Sequence, residues 1–153
     1  MGTEIERKYL VRGGAWRALG VAKAFRQGYL STVKERTVRI RLVGDQGWIT
    51  VKGVTVGATR AEFEYPVPAT DAAEMLELCE RPLIEKTRTV VDVGELRWEI
   101  DEFAGPNAGL IVAEVELQHE DQEIDLPEWV GDEVTDDPRY YNANLTAHPF
   151  STW

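Results

Sequence analysis

Glu4, Glu6 and Lys8 stand two residues apart in the segment Thr3 to Val11. On a β-strand that spacing puts all three on one face, opposite Ile5, Tyr9 and Val11. The same device returns as Arg39 with Arg41, Glu62 with Glu64, Lys86 with Arg88, and Glu114 with Glu116. One such pair reads as the wet face of a half-buried sheet. Five together read differently, because most of these strands carry a single sign. Like charges on one face repel, so sorted signs cost stability unless a ligand compensates. The chemistry of the two sets is complementary. Arginine and lysine grip phosphate oxygens, arginine through paired hydrogen bonds. Clustered carboxylates hold Mg²⁺ or Mn²⁺, hard cations that prefer oxygen ligands. A metal bridging phosphate oxygens draws off charge as a P–O bond breaks. A basic wall facing an acidic wall therefore suits a small polyphosphate bound with a divalent metal.

Such walls need strands to carry them, and strand signals dominate the chain. Alternation marks residues 3–11, 25–31, 37–43, 48–52, 60–67, 84–91, 96–103 and 110–118. Gly44-Asp45-Gln46-Gly47 and Asp92-Val93-Gly94-Glu95 are hairpin turns by composition. Residues 15–19 read as a short helix closed by Gly20. A second helix opens at Thr70 as N-cap, carries Met75, Leu76, Leu78 and Cys79 as its apolar stripe, and stops at Pro82. Leu126 to Val130 reads as the start of a helical turn, and 136–145 as turn-rich with a short helix. About eight strands with short links predict a mainly β protein, an antiparallel barrel or closed sheet with a few short helices outside. A barrel of that size fills its lumen with side chains or holds one small ligand. Charges placed there must pair with each other, with water or with ligand.

Composition narrows the classes. The 153 residues suit one domain, 1–153, and 43% of them are apolar. Seventeen basic against 27 acidic residues give a net charge of −10, which disfavours sequence-independent nucleic-acid binding. No apolar run has the length of a membrane span. Cys79 is the lone cysteine, so no internal disulfide forms and a reducing cytoplasm is the expected compartment. The opening Met-Gly-Thr-Glu lacks the basic and apolar regions of a signal peptide. His119 and His148 have no partner at metal-site spacing, Cys79 lies on the apolar helix face, and Trp16, Trp48, Trp98 and Trp129 read as packing residues. Arg7 sits on the apolar side of its strand without an evident reason.

Glu4-Ile5-Glu6-Arg7-Lys8 resembles the ExExK signature of the CYTH superfamily, the triphosphate tunnel metalloenzymes, most like the short bacterial inorganic triphosphatases. The likeness extends through Arg39-Ile40-Arg41, Lys52, Glu62-Phe63-Glu64, Lys86-Thr87-Arg88, Trp98-Glu99-Ile100-Asp101 and Glu114-Val115-Glu116 to Asp137-Pro138-Arg139-Tyr140-Tyr141-Asn142. It implies an eight-stranded antiparallel tunnel that binds triphosphates with a divalent metal. By family role, Lys8, Arg39, Arg41, Lys52, Lys86 and Arg88 contact phosphates, and Glu4, Glu6, Asp101, Glu114 and Glu116 lie on the metal side. Glu62 and Glu64 orient the basic residues or extend the acidic wall. Lys52 with Tyr29 resembles a lysine–tyrosine pair that activates water, a role for which crowding by other cations would have to lower the lysine pKa. Arg139 is expected to pin the C-terminal segment against a tunnel mouth, within reach of ligand. Hydrolysis of inorganic triphosphate is the leading expectation, with thiamine or nucleotide triphosphatase and class IV adenylyl cyclase as alternatives. From another class, a non-catalytic polyphosphate sensor would need the basic wall more than the acidic one. Strand edges are scarce in a closed barrel, so a homodimer would need another surface.

Overall fold

Wherever period-two alternation runs through the sequence, a computed structural model that describes residues 2–153 has a strand. The order is β1 (Thr3–Val11), β2 (Ala22–Ser31), β3 (Thr37–Val43), β4 (Gln46–Lys52), β5 (Thr59–Val67), α1 (Ala69–Glu77), β6 (Ile84–Val93), β7 (Leu96–Phe103), β8 (Ile111–Glu116), β9 (Val130–Glu133) and α2 (Asn142–Ala147). All pairings are antiparallel, and the strands lie side by side as β5-β4-β3-β2-β6-β7-β8-β1. Thr3↔Ala61, Glu4↔Arg60 and Ile5↔Thr59 join β1 back to β5 and close an eight-stranded barrel. Only the first part of β1 meets β5. Its far end, from Tyr9 to Val11, is covered by β9.

The turn expected within Leu126–Val130 is present, closed by Val130 N–H to Pro127 O at 3.0 Å, and it leads directly into β9. Past the point where β5 diverges, β1 offers unpaired backbone groups, and an open edge recruits a strand. Arg12 N–H reaches Trp129 O at 2.7 Å, and from Val130 the chain runs extended as β9. Arg7 gains its reason here as well. Its guanidinium donates to the carbonyls of Glu120 and Gln122 at 2.7 and 2.8 Å, tying the loop that leads to β9 onto β1.

The apolar core lies outside the barrel wall. One cluster packs Tyr9, Trp98, Ala113, Val115 and Trp129 beneath the 15–19 turn, whose Trp16 is buried. A second seats Tyr140 and Leu145 of the C-terminal segment on Tyr29, Ile84, Phe103 and Val112. The third places α1 against Ile40, Leu42 and Ile49 through Ala72 and Leu76. Here the helix departs from expectation. It begins at Ala69, with Ala72 N–H already bonded to Pro68 O, so Thr70 sits inside the first turn and caps nothing. Leu78 falls beyond the buried stripe and is exposed. The close seat depends on Gly47 of β4, where a Cβ would meet the Ala72 Cβ at 2.6 Å. Gly47→Val is therefore expected to push α1 off the wall and lower unfolding free energy by about 1–3 kcal/mol in a urea titration. Among the described residues no helix is long and apolar enough to cross a membrane.

Candidate active site

With the outward side chains committed to the three clusters, the alternate positions of each strand turn into the lumen. The strand order sorts them. β4, β3, β2 and β6 are neighbours and bring Lys52, Arg39, Arg41, Lys86 and Arg88 into one bank. β7, β8, β1 and β5 are also neighbours around the closure and bring Glu99, Asp101, Glu114, Glu116, Glu4, Glu6, Glu62 and Glu64 into the other, with Lys8 among them. Chain order does not show this, because β6 lies beside β2 and β1 beside β8.

Ion pairs knit the two seams. At the β6–β7 seam Arg88 grips Asp101 with two bonds, Nε to Oδ1 at 2.7 Å and Nη2 to Oδ2 at 2.9 Å, and reaches Glu99 at 3.0 Å. Lys86 Nζ lies 2.7 Å from Asp101 Oδ2. At the β4–β5 seam Lys52 meets Glu4 at 2.8 Å and Glu62 at 3.3 Å. Arg39 bonds Glu64 and Thr50, each at 3.1 Å, while Thr50 donates to the same Glu64 oxygen. Within the acidic bank Lys8 meets Glu114 at 2.8 Å and Glu6 at 3.6 Å.

The balance is uneven. Lys8 and Lys52, two ammonium groups, serve four carboxylates, those of Glu4, Glu6, Glu62 and Glu114. Burial, with Glu114 close by, pushes the Glu6 carboxyl up to about 8. Glu114 itself is held low, because Lys8, Arg88 and Lys86 outweigh its burial. Across the lumen the excess is positive. Arg41 has no carboxylate within 4.0 Å among the described residues; its Nε donates instead to the neutral Gln27 Oε1 at 3.0 Å. Burial, then Arg39 and Arg88, push Arg41 down to about 9. Lys86 is pushed down to about 7 by burial and the same kind of crowding, from Arg88 and Arg41, against the pull of Asp101. Asp101 is held at about 2 by Lys86 and Arg88 despite its burial.

Between the banks lies a cavity of about 300 Å³. Lys8, Arg39, Arg41, Lys52, Lys86, Arg88, Tyr29, Glu6 and Glu114 all line it, as do Asn142 and Arg60. Asp101 does not. It is 1% exposed and lies behind Lys86 and Arg88, a counterion rather than an outward-facing oxygen donor. Glu4 and the half-buried Glu62 are likewise turned to Lys52, and Glu64 and Glu116 are exposed off the lining. Arg139 does not reach the cavity. Asp137, two residues away, holds it through bonds of 2.8–3.2 Å, and it stacks over Trp153 at the surface. The cation crowding expected around Lys52 is found around Lys86; the groups nearest Lys52 are carboxylates.

Several contributors were not singled out from sequence. Phe25 holds Arg41 and Arg88 over its ring, each 4.9 Å from the centroid, an arrangement that steadies two like charges through the ring quadrupole. Gln27 is fully buried and Thr50 is too. Phe25, Gln27 and Tyr29 share the period-two face of β2, so their parity was the available signal.

The donor set of the acidic bank suits a hard divalent cation, since carboxylates outnumber ammonium groups there and all offer oxygen. Among the described residues no three such groups converge on one point as they stand, because Lys8 and Lys52 lie between them.

Comparison with known proteins agrees with this geometry. The chain is 46% identical over 154 residues to an inorganic triphosphatase of Acetivibrio thermocellus, covering 100% of this chain and 99% of that protein. It is 38% identical over 148 residues to an inorganic triphosphatase of Nitrosomonas europaea, covering 94% and 96%. The crystal structure of the inorganic triphosphatase NE1496 superposes with a TM-score of 0.67 at 33% identity, over 93% of this chain and 96% of that one. The CYTH domain family matches residues 2–144, and with charged banks, closed barrel and full-length relatives in accord, the chain belongs to that family.

Proposed function

We propose that this protein is a divalent-metal-dependent hydrolase that cleaves inorganic triphosphate into phosphate and pyrophosphate inside the barrel. The observation that carries the reading is Arg41, a partly buried guanidinium flanked by Arg39 and Arg88 and left without a carboxylate. Such a group calls for an anion, and a linear triphosphate fits a narrow lumen lined by cations from β3, β4 and β6. The names of the full-length relatives support the choice of inorganic triphosphate.

Arg39, Arg41, Lys86 and Arg88 would hold the phosphate chain along the basic bank, with Lys8 reaching it from the other side. Asp101 and Glu64 fix the guanidiniums of Arg88 and Arg39, so these donors are set before substrate enters. Glu6 and Glu114, with Glu4 and Glu116 beside them, would hold Mg²⁺ or Mn²⁺, which when bound neutralises charge on the phosphate oxygens. Lys52 and Tyr29, both on the cavity lining, are the pair proposed to orient the attacking water.

A phosphate-release assay on triphosphate, ATP and thiamine triphosphate, each with Mg²⁺ and with Mn²⁺, tests the reading. Triphosphate turnover that needs metal and exceeds the other two supports it. Cyclic AMP formation from ATP, or tight binding without turnover, replaces it with a cyclase or a sensor. Within the same assay Glu114→Gln is expected to raise the metal concentration at half-maximal activity about tenfold while changing the KM for triphosphate less. A metal titration checks this.

A further inference from the structure

A chain of hydrogen bonds crosses the basic bank without a charge-to-charge contact. Arg41 Nε donates to Gln27 Oε1 at 3.0 Å, Gln27 Nε2 donates to Asn142 Oδ1 at 3.0 Å, and Lys86 Nζ donates to the same Asn142 oxygen at 2.8 Å. The ends of this chain fix both amides. A guanidinium and an ammonium have only donors, so Gln27 must turn its oxygen to Arg41. Its NH₂ then faces Asn142, which must turn its own oxygen toward Gln27 and Lys86. The Asn142 NH₂ is thereby directed away from these partners. Asn142 lines the cavity, and its Nδ2 makes no hydrogen bond among the described residues.

We propose that Asn142 is a two-sided phosphate-binding residue: its oxygen positions Lys86 and, through Gln27, Arg41, and its NH₂ donates to a phosphate oxygen of the substrate. This rests on the triphosphate reading above and deepens it. The C-terminal segment, which the second apolar cluster seats on the barrel through Tyr140 and Leu145, then serves the site directly by delivering a neutral donor. Neutrality matters at this position. A cation beside Lys86 and Arg41 would add to the repulsion already there, and a carboxylate would occupy the cations that the anion needs.

Asn142→Asp separates the two sides. An aspartate keeps an oxygen for Lys86 and Gln27 but replaces the donor with a negatively charged acceptor facing the anion. Asn142→Ala removes both sides and adds no charge. The expected result is that Asn142→Asp folds with an unchanged melting temperature and raises the KM for triphosphate about tenfold or more, further than Asn142→Ala. A purely structural role predicts the opposite order, with Asn142→Asp near wild type and Asn142→Ala impaired. That order, or a KM for Asn142→Asp within about twofold of wild type, overturns the proposal. If wild-type protein does not hydrolyse triphosphate, the proposed function falls on its own. The same three proteins titrated calorimetrically with tripolyphosphate in metal-free buffer then decide the role of Asn142 by the same ordering of Kd.

Discussion

Asp101→Asn is expected to lower unfolding free energy by about 3–5 kcal/mol, the cost of leaving buried cations without their counterion. Asp101 receives both Arg88 bonds and the Lys86 contact, and all three side chains are at most 9% exposed. Asparagine keeps the shape and loses the charge, so the effect is electrostatic rather than a cavity. The loss has a particular signature. Lys86 then lacks its counterion and Arg88 keeps only Glu99, and a bound anion supplies the missing charge. Denaturant titration with and without tripolyphosphate should show a larger stabilisation by the ligand in Asp101→Asn than in wild type. A variant as stable as wild type would mean that Asp101 is not the counterion of the basic bank.

Arg41→Ala is expected to do the reverse. Arg41 has no carboxylate partner, so removing it orphans no buried anion and relieves repulsion with Arg39 and Arg88. Unfolding free energy should stay within about 1 kcal/mol of wild type. Substrate binding should suffer, because a charge-assisted bond to phosphate contributes about 1.5–3 kcal/mol, which corresponds to a rise in KM of roughly 10- to 100-fold. Urea unfolding checks the first number and steady-state kinetics on triphosphate the second. Wild-type KM in Arg41→Ala contradicts the assignment.

Asp101 and Arg41 show what sequence could and could not carry. Period-two spacing marked both as inward-facing, because alternation on a strand depends only on local geometry. It did not distinguish their roles. Asp101 and Glu114 look alike in sequence, one carboxylate on each of two successive strands. In the fold Asp101 lies opposite Arg88 across β6 and β7, while Glu114 lies opposite Lys8 across β8 and β1. Register between strands decides which carboxylate is consumed by a neighbouring cation, and register is long-range information. The same holds for the two banks. Strand signs scatter along the chain and become contiguous only when β6 inserts beside β2 and β1 closes onto β5.

Three further details depend on particular neighbours. Pro127–Val130 makes the turn that its residues predict, while the strand that follows depends on the free edge of β1, a partner more than a hundred residues away. Motif likeness puts Arg139 at a tunnel mouth, holding the C-terminal segment; its guanidinium is held by Asp137 two residues earlier, lies over Trp153 and is off the cavity lining. Gln27 and Asn142 were passed over because neutral amides carry no charge pattern; they matter through the cations they hold apart.

The central claim is that the excess of cations on one bank of the lumen exists to receive a linear triphosphate. Solving the structure of the protein crystallised with tripolyphosphate, with divalent metal withheld, tests it most directly. Phosphate oxygens are expected inside the barrel within hydrogen-bond distance of Arg39, Arg41 and Arg88. Tripolyphosphate held only on the outer surface, with the lumen free of it, would contradict it.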